Sequence, residues 1–213
     1  MKINQSTIDY LRLVITAKDY RNIIRDDPNI LDELNNLLPS NKDISSVDWS
    51  RYDCAKTLKE NDFDILRTIN VFGGFDTAMG RSTTYRLIYT VVSTYISDIE
   101  FSSYYKDQFL FYIDSLPSHI GGKEVDNFID TIYLNLPPEL PKGKKIKLFK
   151  ETLQNHFTCK NTKKPYWPQE PDWPADDNGT PLIFVSQKRN GDLYEFTFEN
   201  RSTGCIRIVE QFL

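Results

Sequence analysis

The sequence predicts an α+β fold: a mostly α-helical body of six to eight short helices with a small C-terminal three-stranded antiparallel β-meander packed on it. Two changes along the chain point there. Apolar residues recur at the 3.6-residue spacing of helices up to about residue 157, and after Trp173 the spacing falls to two. Between these regimes runs a Pro/Trp lead-in, Pro165-Tyr166-Trp167-Pro168-Gln169-Glu170-Pro171-Asp172-Trp173-Pro174. The expected division is a helical body over 1–160 and a lead-in plus meander over 161–213, packed as one globular unit.

Ser6 to Asp26 reads as the opening helix, with Ile8, Leu11, Val14 and Ile15 on one side. Ile65, Leu66, Ile69 and Phe72 begin another, with Asp62 placed as its N-cap. Thr84 to Glu100 fits the helical template most closely, because Leu87, Ile88, Val91, Val92, Tyr95, Ile96 and Ile99 form one continuous stripe. Phe109, Tyr112, Ile113 and Leu116 repeat the pattern over two turns, and Val125, Phe128, Ile129, Ile132, Tyr133 and Leu136 repeat it again. A lysine-rich helix follows, with Ile146, Phe149, Leu153 and Phe157 on its apolar face. Asp27-Pro28, Leu38-Pro39, Gly73-Gly74, Leu116-Pro117, Gly121-Gly122 and Pro137-Pro138 supply the breaks, since proline and glycine end helices.

In the tail, Leu182 to Gln187 is apolar on both faces, and Tyr194, Phe196 and Phe198 alternate with Glu195, Thr197 and Glu199. Ile206 to Phe212 alternates once more. Asn190-Gly191 is a strong hairpin signal, and Asn200 to Gly204 turns the chain a second time. Three strands alone bury too little, so the Tyr194/Phe196/Phe198 face is expected to rest on helices, with Trp167 and Trp173 plugging the junction.

The chain has 213 residues, enough to bury a core without disulfide or metal staples. Cys54, Cys159 and Cys205 are odd in number and far apart, which argues for reduced, structural thiols and against a zinc site. Asp9 and Asp19 interrupt the N-terminal apolar residues, and no later stretch is long enough to cross a bilayer, so a cytoplasmic protein without membrane contact is expected.

The formal net charge of −4 conceals an asymmetry: Lys142 to Lys164 holds eight lysines against Glu151, a local +7, and the rest of the chain carries −11. Asp26 to Asp64 alone has ten acids against four basic residues. An acidic surface with one basic stripe results.

Catalytic signals are sparse. His119 and His156 have no carboxylate or cysteine at ligand spacing, although a site assembled in space leaves no such trace. Gly74 to Ser82 superficially matches a phosphate loop, but its first glycine comes one residue early and Arg81 replaces the lysine; a helix N-cap at Ser82 or Thr83 fits better. The stripe Lys142, Lys144, Lys145 and Lys147, with Tyr166 and Trp167 for stacking, is a second candidate, for nucleic acid. The lysines equally suit the solvated side of an amphipathic helix in an acidic protein, so nucleic acid is the weaker expectation. No cofactor or metal is expected.

The tail, K-P-Y-W-P-Q-E-P-D-W-P followed by N-G-T-P-L-I-F-V-S-Q, the Tyr194 to Phe198 strand and a terminal I-V-E-Q-F-L, resembles the C-terminal segment of some immunity proteins of bacterial contact-dependent growth inhibition and other polymorphic toxin systems. The resemblance covers about a quarter of the chain. It implies a protein that performs no chemistry but binds and neutralises a cognate toxin, often a nuclease, borne as the C-terminal domain of a large secreted protein. Acidic charge suits a basic nuclease. The partner-binding residues expected on this reading are Asp48, Asp53, Asp62 and Asp64, together with Asp176 and Asp177 beside Trp173 as an aromatic anchor. A nucleic-acid-binding module and an enzyme with a spatially assembled site are the alternatives.

Overall fold

The computed structural model describes residues 3–38, 55–71 and 73–213, and it has the α+β architecture expected. Nine helices fall among the described residues, followed by one antiparallel sheet of order β1-β2-β3. The chain groups into two compact units, Met1–Leu110 and Phe111–Leu213, so the change of period near residue 160 lies inside the second.

The first unit contains α1 (Gln5–Leu11), α2 (Ala17–Asp26), α3 (Asn29–Asn35), α4 (Ala55–Glu60), α5 (Ile65–Val71), α6 (Ala78–Ser93) and the start of α7 (Tyr104–Ser115). The single opening helix expected over Ser6 to Asp26 is two helices. Leu13 takes a left-handed φ of 57° after α1, and Thr16 restarts the chain as the N-cap of α2 in a reciprocal capping box with Asp19. Apolar spacing alone cannot register such a break, because the residues on either side still share a phase.

Tyrosines dominate this core. The rings of Tyr10 and Tyr20 stack at 4.5 Å and 7°, and Phe75, Tyr85 and Tyr105 pack around Tyr10. Tyr20 shares a hydrogen bond with Thr7, and the Tyr85 hydroxyl donates to the Leu11 carbonyl at 2.7 Å, so these buried hydroxyls are satisfied.

Two expected caps are corrected. Asp64 rather than Asp62 accepts from the first turn of α5, at the Arg67 N–H, while Asn35 of α3 accepts from Ile65 N–H at 2.8 Å. Helix α6 begins at Thr77, not at Ser82 or Thr83: the Thr77 hydroxyl accepts from Gly80 N–H, and Gly80 lets the Gly73-Gly74 backbone lie directly on the helix. The Leu87, Ile88, Val91 and Val92 stripe is buried as expected.

The second unit holds the end of α7, α8 (Asp126–Leu134), α9 (Lys142–His156), β1 (Ile183–Asn190), β2 (Leu193–Glu199) and β3 (Ile206–Phe212). On α7 the buried row is Tyr105, Gln108, Phe111, Tyr112 and Ser115, and Ile113, expected on the apolar face, is 62% exposed. Phe149 of α9 packs against Phe111 and Tyr112, and the Tyr112 hydroxyl donates to Asp130 of α8 at 2.6 Å.

Phe196 and Phe198 are fully buried, and the lead-in covers them. Trp167 stacks on Phe196 at 4.2 Å and donates its indole N–H to the His119 carbonyl. Trp173 meets Phe157 and Phe198 edge-on and donates to the Leu182 carbonyl. Both indoles therefore pair their one polar atom while filling the junction. The loop Gly121-Gly122 accepts the Trp173 main chain, with Trp173 N–H donating to Gly121 C=O at 2.8 Å. In the first hairpin Asn190 pairs with Leu193, which leaves Gly191-Asp192 as the two loop residues, one place later than expected.

Candidate functional site

Asp48 and Asp53 lie outside the described residues. Asp62 is exposed and pairs with Arg67 at 2.6 Å; Asp64 is spent on the α5 cap through the same arginine's backbone. Asp176 accepts the Asn178 and Thr180 N–H groups, both at 2.9 Å, so its carboxylate closes a turn. Asp177 next to it is exposed. Trp173 is 0% exposed, and this corrects its expected role: an indole enclosed by Phe157, Phe184 and Phe198 offers no surface to a partner.

The structure brings forward residues that the sequence reading passed over. In β3 the side chains of Arg207, Val209 and Gln211 share the inner face with their cross-strand partners Phe198, Phe196 and Tyr194. Ile206, Ile208, Glu210 and Phe212 are thereby directed to the outer face. Ile206, Ile208 and Phe212 are each 56% exposed. The signal was present in the chain, since the third strand of a meander is an edge strand, and I-R-I-V-E-Q-F places apolar residues on both of its faces.

Cross-strand register adds charge to this surface. Glu195 of β2 lies directly opposite Glu210 of β3. The bonds Asn200 N–H to Cys205 C=O and Leu213 N–H to Asp192 C=O fix the ladder's phase, and they make Glu195–Glu210 a non-hydrogen-bonded pair, the kind in which side chains approach most closely. Lys188 on β1 sits beside Glu195, and Glu199 pairs with Lys160. Among the described residues no ion pair engages Glu210. An open hollow of about 320 Å³ adjoins the start of the strand, lined by Asp176, Asp177, Asn200, Cys205, Ile206 and Arg207.

Arg207 fixes β3 to the turn that precedes α8. Its guanidinium makes a two-pronged pair with Glu124, which also accepts from Ala175 N–H. The arginine's hydrogen bonds hold the Glu124 carboxyl below its usual range.

The lysine stripe is partly engaged. Lys142 pairs with Asp114 at 2.6 Å, Lys147 with Glu151 at 3.8 Å, and Lys160 with Glu199. Lys144, Lys150, Lys163 and Lys164 are exposed, as is Tyr166, but Trp167 is occupied by Phe196 and cannot stack on a base. Burial, and secondarily Lys164, draws the His119 imidazole down to about 4, so it is neutral near pH 7. His156 packs edge-on against Phe128. Burial pushes the Cys159 thiol up, away from the thiolate a nucleophile requires. Among the described residues no group of three or more His, Cys, Asp or Glu side chains is placed to hold a metal ion, and no helix is long and apolar enough to cross a membrane.

Compared with protein-family models, curated proteins and solved structures, the chain has no match.

Proposed function

We propose that this chain is an immunity protein of a bacterial contact-dependent or polymorphic toxin system, which binds a cognate toxin, most simply a nuclease, and neutralises it by covering its active site without chemistry of its own. The observation that carries this reading is an exposed surface suited to a protein partner: Ile206, Ile208 and Phe212 on one face of β3, with Glu210 between the last two and Glu195 opposite it. Contiguous exposed apolar side chains mark contact surfaces, and carboxylates among them favour a basic partner. A nuclease is basic where it grips phosphates. The resemblance of the tail to immunity proteins and the −11 carried outside the lysine stripe support the same conclusion. The neutralising complex would form in the cytoplasm.

The test is co-expression with the C-terminal domain encoded immediately upstream, followed by co-purification and by growth of cells carrying that domain with and without this chain. A stable complex and restored growth are expected; failure of both binding and rescue excludes the reading.

A second reading has one observation in its favour. Tyr166 is 66% exposed and adjoins Lys163 and Lys164, an arrangement able to stack a base and hold phosphates. It predicts nucleic-acid binding that weakens steeply with salt and is lost when Lys144, Lys145 and Lys147 are replaced together.

A further inference from the structure

We propose that the free edge of β3 receives an extended, basic segment of the partner protein as a fourth strand, with a lysine or arginine of that segment set beside Glu210. This deepens the toxin-neutralising reading and rests on it.

The sheet's two flanks differ. At β1 the chain covers the start of its own edge: Phe184 N–H donates to Thr158 C=O, Lys160 N–H donates to Phe184 C=O, and the Asn161 amide donates to Val185 C=O. Among the described residues the only strand neighbour of β3 is β2. The ladder's phase turns the odd-numbered residues 205 to 213 toward β2, so Ile206, Ile208, Glu210 and Phe212 direct their N–H and C=O groups to the outside. Gln169 takes the Phe212 carbonyl. Ile206, Ile208 and Glu210 are left as a three-residue template.

Edge strands of soluble proteins are commonly blunted by lysine, proline or a bulge. The ladder between β2 and β3 is unbroken, and β3 has neither lysine nor proline. Its one cation, Arg207, faces inward and is held by Glu124. An added strand would pair its main chain with the template and lay alternate side chains against Ile206, Ile208 and Phe212, the pattern of strand-addition recognition.

Charge selects the occupant. Two carboxylates face one another across β2 and β3, and the nearby cation, Lys188, lies on β1, on the far side of Glu195 from Glu210. A basic side chain arriving at the open flank relieves the repulsion, whereas an acidic strand increases it. A second copy of β3 would bring another Glu210 and no free cation, so a basic partner is favoured over self-association.

The experiment records amide exchange by NMR on the full chain, alone and bound to the C-terminal domain encoded upstream, with the variants Glu210→Lys and Ile208→Pro. Ile208 N–H points away from β2, so the proline removes no bond of the native ladder. Glu210→Lys sets a cation opposite Glu195, and its melting temperature, recorded beside the binding, separates lost docking from a weakened sheet. The expected result is slowed exchange at Ile206, Ile208 and Glu210 in the complex, with affinity reduced about tenfold or more by each variant. A complex in which these amides exchange as in the free chain, or one indifferent to both variants, overturns the docking while leaving toxin neutralisation intact. Concentration-dependent protection of the same amides in the chain alone identifies a second copy as the occupant and overturns the basic segment. Absence of any complex removes the neutralising reading, and this proposal with it.

Discussion

The main-chain nitrogen of Trp173 lies 2.8 Å from where a Cβ on Gly122 would stand, and Gly122 has a φ of 125°. Space and backbone conformation therefore demand glycine together. Gly122→Ala is expected to destabilise the second unit by about 1–3 kcal/mol, the range for a strained backbone, with displacement of the Trp173 strap added to it. A urea titration followed by tryptophan emission checks this, and an unchanged midpoint refutes it.

At Gly80 two effects compete, and their sizes decide the sign. Alanine in a helix interior gains roughly 1 kcal/mol over glycine. Its Cβ, however, would stand 2.5 Å from the Gly74 carbonyl oxygen and 2.8 Å from the Gly73 carbonyl carbon, both of them backbone and unable to swing aside. Overpacking typically costs about 1–3 kcal/mol, so Gly80→Ala is expected to lower the stability of the first unit. Higher stability by circular dichroism melting would mean that the Gly73-Gly74 turn yields easily.

Trp173→Ala removes a fully buried indole, and truncations of this size cost about 3–5 kcal/mol. Trp173→Phe keeps much of the apolar volume but strips the Leu182 carbonyl of its donor, a loss of about 1–3 kcal/mol for a buried group. Calorimetry is expected to rank wild type above Phe above Ala, and a Phe variant equal to wild type would show the hydrogen bond to be dispensable.

Glu210→Lys is expected to raise stability by about 0.2–1 kcal/mol, because a directly opposed like-charge pair becomes an opposite one. The gain is measured at low salt and shrinks as salt is added. A destabilised variant would show that the two carboxylates already diverge into solvent.

His119 carries a pH dependence whose sign is fixed by its depressed pKa. Folding holds the imidazole neutral down to about 4, while in the unfolded chain it titrates near 6.5. Between those values the unfolded state binds the extra proton, so stability is full above about 6.5 and declines as pH falls toward 4. Replacing His119 by Gln is expected to flatten that interval. Glu124, lowered by Arg207, acts at more acid pH and separates from it: its contribution is present above the usual carboxylate range and lost below. Melting temperatures of the two proteins from pH 7 to 4 make the comparison.

What was legible in the sequence followed from periodicity. The inward Tyr194, Phe196 and Phe198 and the buried faces of α6 and α9 were readable because burial repeats with the geometry of the element, and both indole plugs from their place in the lead-in beside that sheet face. What escaped was set by single side chains or by neighbours far along the chain. The break at Leu13 depends on one left-handed residue and one capping threonine; the α5 start depends on Asn35, thirty residues earlier. Asp62, Asp64 and Asp176 were legible as charge, but not as groups already engaged by Arg67 and by turn amides. The Glu195–Glu210 opposition exists only once the register does.

Among the described residues the two units differ in their central aromatics: stacked tyrosines in the first, Trp167 and Trp173 in the second. Trp49, the chain's third tryptophan, lies outside the described residues. With Trp49 replaced by phenylalanine, indole fluorescence becomes an optical reporter of the second unit alone, while tyrosine absorption weights the first. One protein thus carries two built-in probes, and the order in which its halves melt can be read with no label attached.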